Sequence, residues 1–209
     1  MLKAMLARAR EVHAAELEGD EAAEAGFTLI ELMVVLLILA ILMAIAIPTF
    51  LGVTGGANDR ATQSNLTNGV TEMSAIYQAD NTSFTSTPSA LTQLGSASAP
   101  EFKWTSSACT SSSSKNCISV TAVNVASAGD AQGVELAAYS PTNTCWYALV
   151  LDRTPTTLTG QPFTVGTATG DISTAGTYYA NKPNSTSCQA STATALKWGS
   201  SYNDPAGKN

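Results

Sequence analysis

The sequence predicts an α+β protein: a long N-terminal α-helix packed on a small antiparallel β-sheet, followed by a disulfide-fastened C-terminal region. Three observations carry this expectation. Leu32 to Ile47 is a run of sixteen residues without a polar side chain. Helical apolar spacing resumes at Leu66, Val70, Met73 and Tyr77. Three β-rich segments between Cys117 and Leu151 are then separated by turn residues, with four cysteines in and around them.

In chain order, Met1–Gly26 reads as a short charged leader, with Lys3, Arg8 and Arg10 near its start and an acidic second half. An ordinary secretory signal places its apolar core before the cut and a small-residue site after it. Here the apolar core comes later. Extending Leu32–Ile47 back to Phe27 gives 21 residues interrupted only by Thr28 and Glu31. A helix of that length spans about 30 Å, the hydrocarbon thickness of a bilayer. Lys3, Arg8 and Arg10 precede this span, and Arg60 is the sole base in the fifty or so residues after it, which predicts a cytoplasmic N-terminus. Glu31 is the awkward residue. A carboxylate at the centre of such a span costs roughly 2.5–3.5 kcal/mol, and less toward its end. Locally, Thr28-x-x-Glu31 fits a capping box, which would explain a helix start and nothing more.

Beyond the span, Pro48 removes a helical donor and Gly52, Gly55 and Gly56 weaken the helix by about 1 kcal/mol each relative to Ala. Pro48–Gly56 is therefore the expected soft segment and helix break. The amphipathic stretch that follows puts Leu66, Val70, Met73, Ile76 and Tyr77 on one side and Asp59, Arg60, Gln63 and Glu72 off that line. A helix from Phe27 to Ala79 would extend about 80 Å. A Ser-, Thr- and Pro-rich loop is expected from Asp80 to about Pro100, then a short packed piece at Phe102 and Trp104. Strands are expected at Cys117–Val125, Val134–Tyr139 and Cys145–Leu151, with turns at Gly129-Asp130 and Pro141-Thr142-Asn143. From Asp152 onward the pattern fades, although Tyr178-Tyr179 and Leu196-Lys197-Trp198 look attached to the domain.

Gly26 followed by Phe27-Thr28-Leu29-Ile30-Glu31, the apolar segment and Ala44-Ile45-Ala46-Ile47-Pro48 resembles the N-terminus of a type IV prepilin. The resemblance is strong over Gly26–Pro48 and looser to about Ser83. It implies cleavage by a prepilin peptidase between Gly26 and Phe27, N-methylation of Phe27, and a role for Glu31 in assembly. It also implies insertion in the cytoplasmic membrane before assembly, a pilus assembly platform with its ATPase machinery, and identical subunits as partners in an extracellular helical filament. The bent spine helix of that family, partly unwound in the filament, fits Pro48–Gly56. On this basis 1–26 is a cleaved leader, 27–56 the transmembrane and filament-core segment, and 57–209 the globular head. Within the head, 57–79 is helix, 80–116 loop, 117–152 sheet and 153–209 irregular.

The four cysteines allow three pairings. Cys109–Cys117 would close a Ser-rich hairpin-like loop, and Cys145–Cys188 would pin the C-terminal region to the third strand. Pilins commonly fasten a C-terminal loop in that manner, so the resemblance favours the second pair.

Composition excludes several function classes. The formal net charge is -6. The leader holds six of the acids and three of the bases, leaving a mild -3 on the remaining 183 residues. No basic run or stripe marks a nucleic-acid partner. A Ser-His-Asp or Cys-His site needs a histidine, and the single one, His13, lies in the leader. Gly52-Val53-Thr54-Gly55-Gly56 lacks the lysine of a phosphate-binding loop. No calcium-loop pattern appears, Asp152 and Asp171 are isolated, and no Cys-x-x-Cys suggests a metal or cofactor. Asn65, Asn81 and Asn184 begin Asn-x-Ser/Thr triplets of a kind that a Ser/Thr-rich chain produces by chance. The expected protein is not an enzyme. Two rivals share parts of the pattern. A type II secretion pseudopilin has the same leader, anchor and acid, but its major form tends to be smaller and to carry a calcium loop. A monomeric membrane-anchored adhesin would keep an uncut N-terminus and have no need of Glu31.

Overall fold

The computed structural model describes residues 27–79, 84, 87–113, 115–125, 131–155, 172, 174–192 and 196–202. The leader with Gly26 and His13, the start of the loop at Asp80-Asn81 with its triplet, the turn at Gly129-Asp130, and Asp171 lie outside them. The chain divides into two compact units, one ending at Leu51 and the other beginning at Gly52.

Helix α1 runs from Leu29 to Ala79 over 51 residues. Pro48, Gly52, Gly55 and Gly56 all lie within its bounds, where the proline leaves one i→i−4 bond unmade. The three glycines keep ordinary φ angles, since Gly176 is the described glycine at positive φ. Next to the proline, the Thr49 hydroxyl donates back to the carbonyls of Ile45 (3.1 Å) and Ala46 (2.9 Å).

In the unit that begins at Gly52, a five-stranded sheet has the order β1-β3-β4-β5-β6. The strands are β1 Lys103–Thr105, β3 Cys117–Val123, β4 Gly133–Ser140, β5 Thr144–Leu151 and β6 Gly176–Lys182. Strands β3 to β6 form an antiparallel meander, and β1 joins the edge of β3 in parallel. Two further two-residue strands, β2 Cys109–Thr110 and β7 Ser187–Cys188, pair with each other. The Pro141-Thr142-Asn143 turn joins β4 to β5, with Asn143 at φ 60, a conformation that asparagine tolerates well.

Both faces of the sheet are covered. Side chains alternate along a strand, so Ile118, Val120, Val134, Leu136, Trp146 and Val150 join one core with Leu66, Met73, Ile76 and Tyr77 of α1. Gly69 permits the close approach: a Cβ there would lie 3.1 Å from both Ile118 Cδ1 and Leu136 Cδ2. Ala137, Tyr147, Leu149 and Leu151 face a second core, closed by Cys188, Ala190, Leu196 and Trp198.

Two stretches differ from expectation. The region 80–116, read as loop, contains helix α2 at Pro88–Ser98 as well as β1 and β2. Pro88 sits in its first turn, where a missing N–H does no harm, and Leu91 and Gly95 are its buried face. The region 153–209, read as irregular, supplies the full edge strand β6, then β7 and a 3₁₀ turn at Ala190–Thr192.

The disulfides are Cys109–Cys117 and Cys145–Cys188. Cys109 lies opposite Cys188 in the β2–β7 pair, so the bridges are neighbours and tie β3, β2, β7 and β5 into one patch. All four cysteines are buried.

Candidate functional site: the exposed N-terminal helix

The start of α1 is a capping box. The Thr28 backbone N–H donates to Glu31 Oε2 at 2.9 Å, and the Thr28 hydroxyl donates to the same oxygen at 2.8 Å. In return the Glu31 N–H donates to Thr28 Oγ1 at 3.3 Å. Two otherwise free donors of the first turn are thus satisfied by one side-chain pair. A carboxylate at this end also suits the positive pole of the helix dipole. This removes part of the burden that Glu31 places on an apolar helix, and it fixes the carboxylate one turn from Phe27.

From Phe27 to Val53 every residue is exposed, and Phe27 is 87% exposed. No charge follows Glu31 until Asp59. Nineteen large apolar side chains between Phe27 and Val53 face outward on all sides of the helix. This differs from an amphipathic surface helix, which hides one stripe against its own domain. By length and composition the helix is able to cross a membrane.

The structure gathers Thr28 and Glu31 into the site, and keeps Phe27 beside them. Gly26 lies outside the described residues. Pro48, Gly52, Gly55 and Gly56 lie along the same helix. The other residues singled out from sequence stand apart. Asn65 is half-buried, with its amide 3.5 Å from the Lys115 carbonyl, whereas Asn184 is exposed at φ 56. Asp152 is a surface residue at the end of β5 whose N–H donates to the Gln132 carbonyl; partial burial raises its pKa. Among the described residues, no group of three His, Cys, Asp or Glu side chains could hold a metal ion.

Sequence reasoning missed two carboxylates. Asp59 Oδ1 accepts from Thr142 Oγ1 (2.5 Å), Ser140 Oγ (2.6 Å) and Trp146 Nε1 (3.3 Å). Glu135 is 0% exposed on β4, and neither of its oxygens has a partner among the described residues. The only signal in the sequence was an acid inside an otherwise apolar strand. For Asp59 there was none, because its donors are more than 80 residues away.

A family profile for the prokaryotic N-terminal methylation motif matches residues 22–47. Over 75 residues the chain is 45% identical to the Type IV wide pilus major component PilA4 of Thermus thermophilus, a match covering 36% of this chain and 56% of that protein. The chain thus spans a little over half the length of that curated relative. No solved structure matches the chain. The methylation motif falls on the exposed apolar helix and its capping box, and over those 75 residues the chain is similar to a type IV pilus component.

Proposed function

We propose that this chain is a structural subunit of a type IV pilus. A prepilin peptidase cuts it between Gly26 and Phe27 and methylates the new N-terminus. It then polymerises with identical copies through the apolar half of α1. Before assembly the helix sits in the cytoplasmic membrane with its N-terminus inside and the sheet-bearing unit outside. The assembly platform and its ATPase move it from the bilayer into an extracellular fibre.

The observation that carries this reading is the exposure of the helix on every side. Burying one large apolar side chain is worth about 1.5–3 kcal/mol, so nineteen of them amount to roughly 30–55 kcal/mol. Left in water, an apolar surface of this size drives association, and a bilayer or a bundle of like helices buries it. Between those two environments there is little hydrophobic difference, because lipid tails are as apolar as leucine. The transfer therefore needs an external energy source, while the finished fibre is held by the cost of exposing its core to water.

Glu31 supplies the register. In a bundle its carboxylate would meet the N-terminal amine of a neighbouring Phe27, and a paired buried charge is tolerated where a lone one is not. A one-turn slip would leave both charges alone. Glu31→Ala and Glu31→Gln are accordingly expected to lower surface-filament yield sharply in electron micrographs, with subunit level and membrane insertion unchanged. Normal filament yield from both variants would refute the register role. Absence of long surface fibres from wild-type cells would favour a short periplasmic pseudopilus instead.

A further inference from the structure

We propose that Asp59 is a clamp that sets the N-terminal limit of the cooperatively folded head, stopping local unwinding of α1 from spreading into the sheet-packed part of the helix. The inference does not depend on polymerisation. It rests on what lies on either side of Asp59 within the unit that begins at Gly52.

Toward the N-terminus, Gly52, Gly55 and Gly56 fall within five residues of helix, each less helix-favouring than any residue but proline. Among the described residues, none lies within 4 Å of where a Cβ would stand at Gly52 or Gly56, and at Gly55 the Thr142 methyl group comes to 3.8 Å. Helical order there has weak intrinsic propensity and little packing. Toward the C-terminus, the buried stripe begins immediately with Thr62, Leu66, Gly69 and Met73.

Asp59 stands at the junction. Its Oδ1 gathers three donors from the β4–β5 hairpin: the hydroxyls of Ser140 and Thr142 and the indole N–H of Trp146. Ser140 and Trp146 are themselves buried, so loss of the acceptor strands donors that water reaches poorly. The Ser140 and Thr142 hydroxyls are also 3.0 Å apart, which makes the turn and the carboxylate one hydrogen-bonded unit. Hydrogen bonds to a charged acceptor are stronger than neutral ones. Unwinding that starts at the glycines must break all of them together to pass Asp59. Short of that, it stops.

The test is hydrogen–deuterium exchange on the full-length protein in detergent micelles. Asp59→Ala should speed exchange of amides in residues 52–60 by roughly tenfold or more, the loss expected for a hydrogen-bonded charge. Peptides from β3, β4 and β5 should keep their wild-type rates. Thr142→Val, which removes one donor and leaves the carboxylate, should speed the same segment by less, and it decides the matter by the same criteria should Asp59→Ala not fold. Unchanged exchange over 52–60 would overturn the proposal. So would equal acceleration of the sheet peptides, since Asp59 would then be a general stabilising contact and no boundary.

Discussion

Glu135 lies on β4 between Thr121 of β3 and Leu149 of β5, on the face of the sheet turned away from α1. Burial without a partner pushes its pKa well above the usual carboxylate range. Nearby Tyr147 is pushed up to about 12, first by burial and then by the Glu135 charge. The folded state therefore holds a proton that the unfolded chain releases near the ordinary glutamate value. Stability is then full below that value and falls as pH rises toward the raised one. Wild-type protein should melt at a higher temperature at pH 5 than at pH 8. Glu135→Gln, which cannot ionise, should shrink that difference and raise the melting temperature at pH 8 by a few degrees. A melting temperature that rises with pH in the wild type would contradict this. Gly95 offers a steric test at the same scale. A Cβ there would lie 2.7 Å from Trp104 Cδ2, and Trp104 is fixed by its indole N–H bond to the Ala99 carbonyl. Gly95→Ala should destabilise the protein by about 1–3 kcal/mol in denaturant unfolding, the usual range for overpacking.

Elements were legible where one physical signal dominated. The stripe at Leu66, Met73, Ile76 and Tyr77 names the buried face of α1 because its partner is a flat sheet. Strands β3, β4 and β5 stood out because both of their faces are buried, which demands near-continuous apolar runs. Helix α2 escaped notice because only Leu91 and Gly95 are buried over its eleven residues, and the rest reads as polar loop. Strand β6 escaped because an edge strand with half-buried Thr177, Tyr178 and Tyr179 shows no clean alternation. The disulfides act at this scale too. Cys145 and Cys188 are 43 residues apart, and closing a loop of that size is worth roughly 4 kcal/mol in the chain-entropy model. The paired substitution Cys145→Ser with Cys188→Ser should lower unfolding free energy by about that amount. Removal of the shorter Cys109–Cys117 loop should have a smaller effect, as urea titrations would register.

At the scale of the molecule, two kinds of surface are joined in one chain. The unit from Gly52 onward buries both faces of its sheet and packs like an ordinary domain. The helix from Leu29 to Leu51 has every residue exposed, and by length and composition it is able to cross a membrane. The candidate site was readable in sequence because it is linear: Phe27, Thr28, Glu31 and the apolar run need no tertiary contact to be recognised. Asp59 was not, because its donors lie more than 80 residues away, and Glu135 showed only as an acid in an apolar strand, its burial depending on how both faces of the sheet are covered. The central claim is that the N-terminal segment is processed and the helix becomes the core of a fibre. It is tested most directly by mass spectrometry of protein sheared from the cell surface. A species in the fibre fraction beginning at N-methylated Phe27 is the predicted result. A chain that still begins at Met1, retained in the membrane fraction with none in the sheared material, would contradict it.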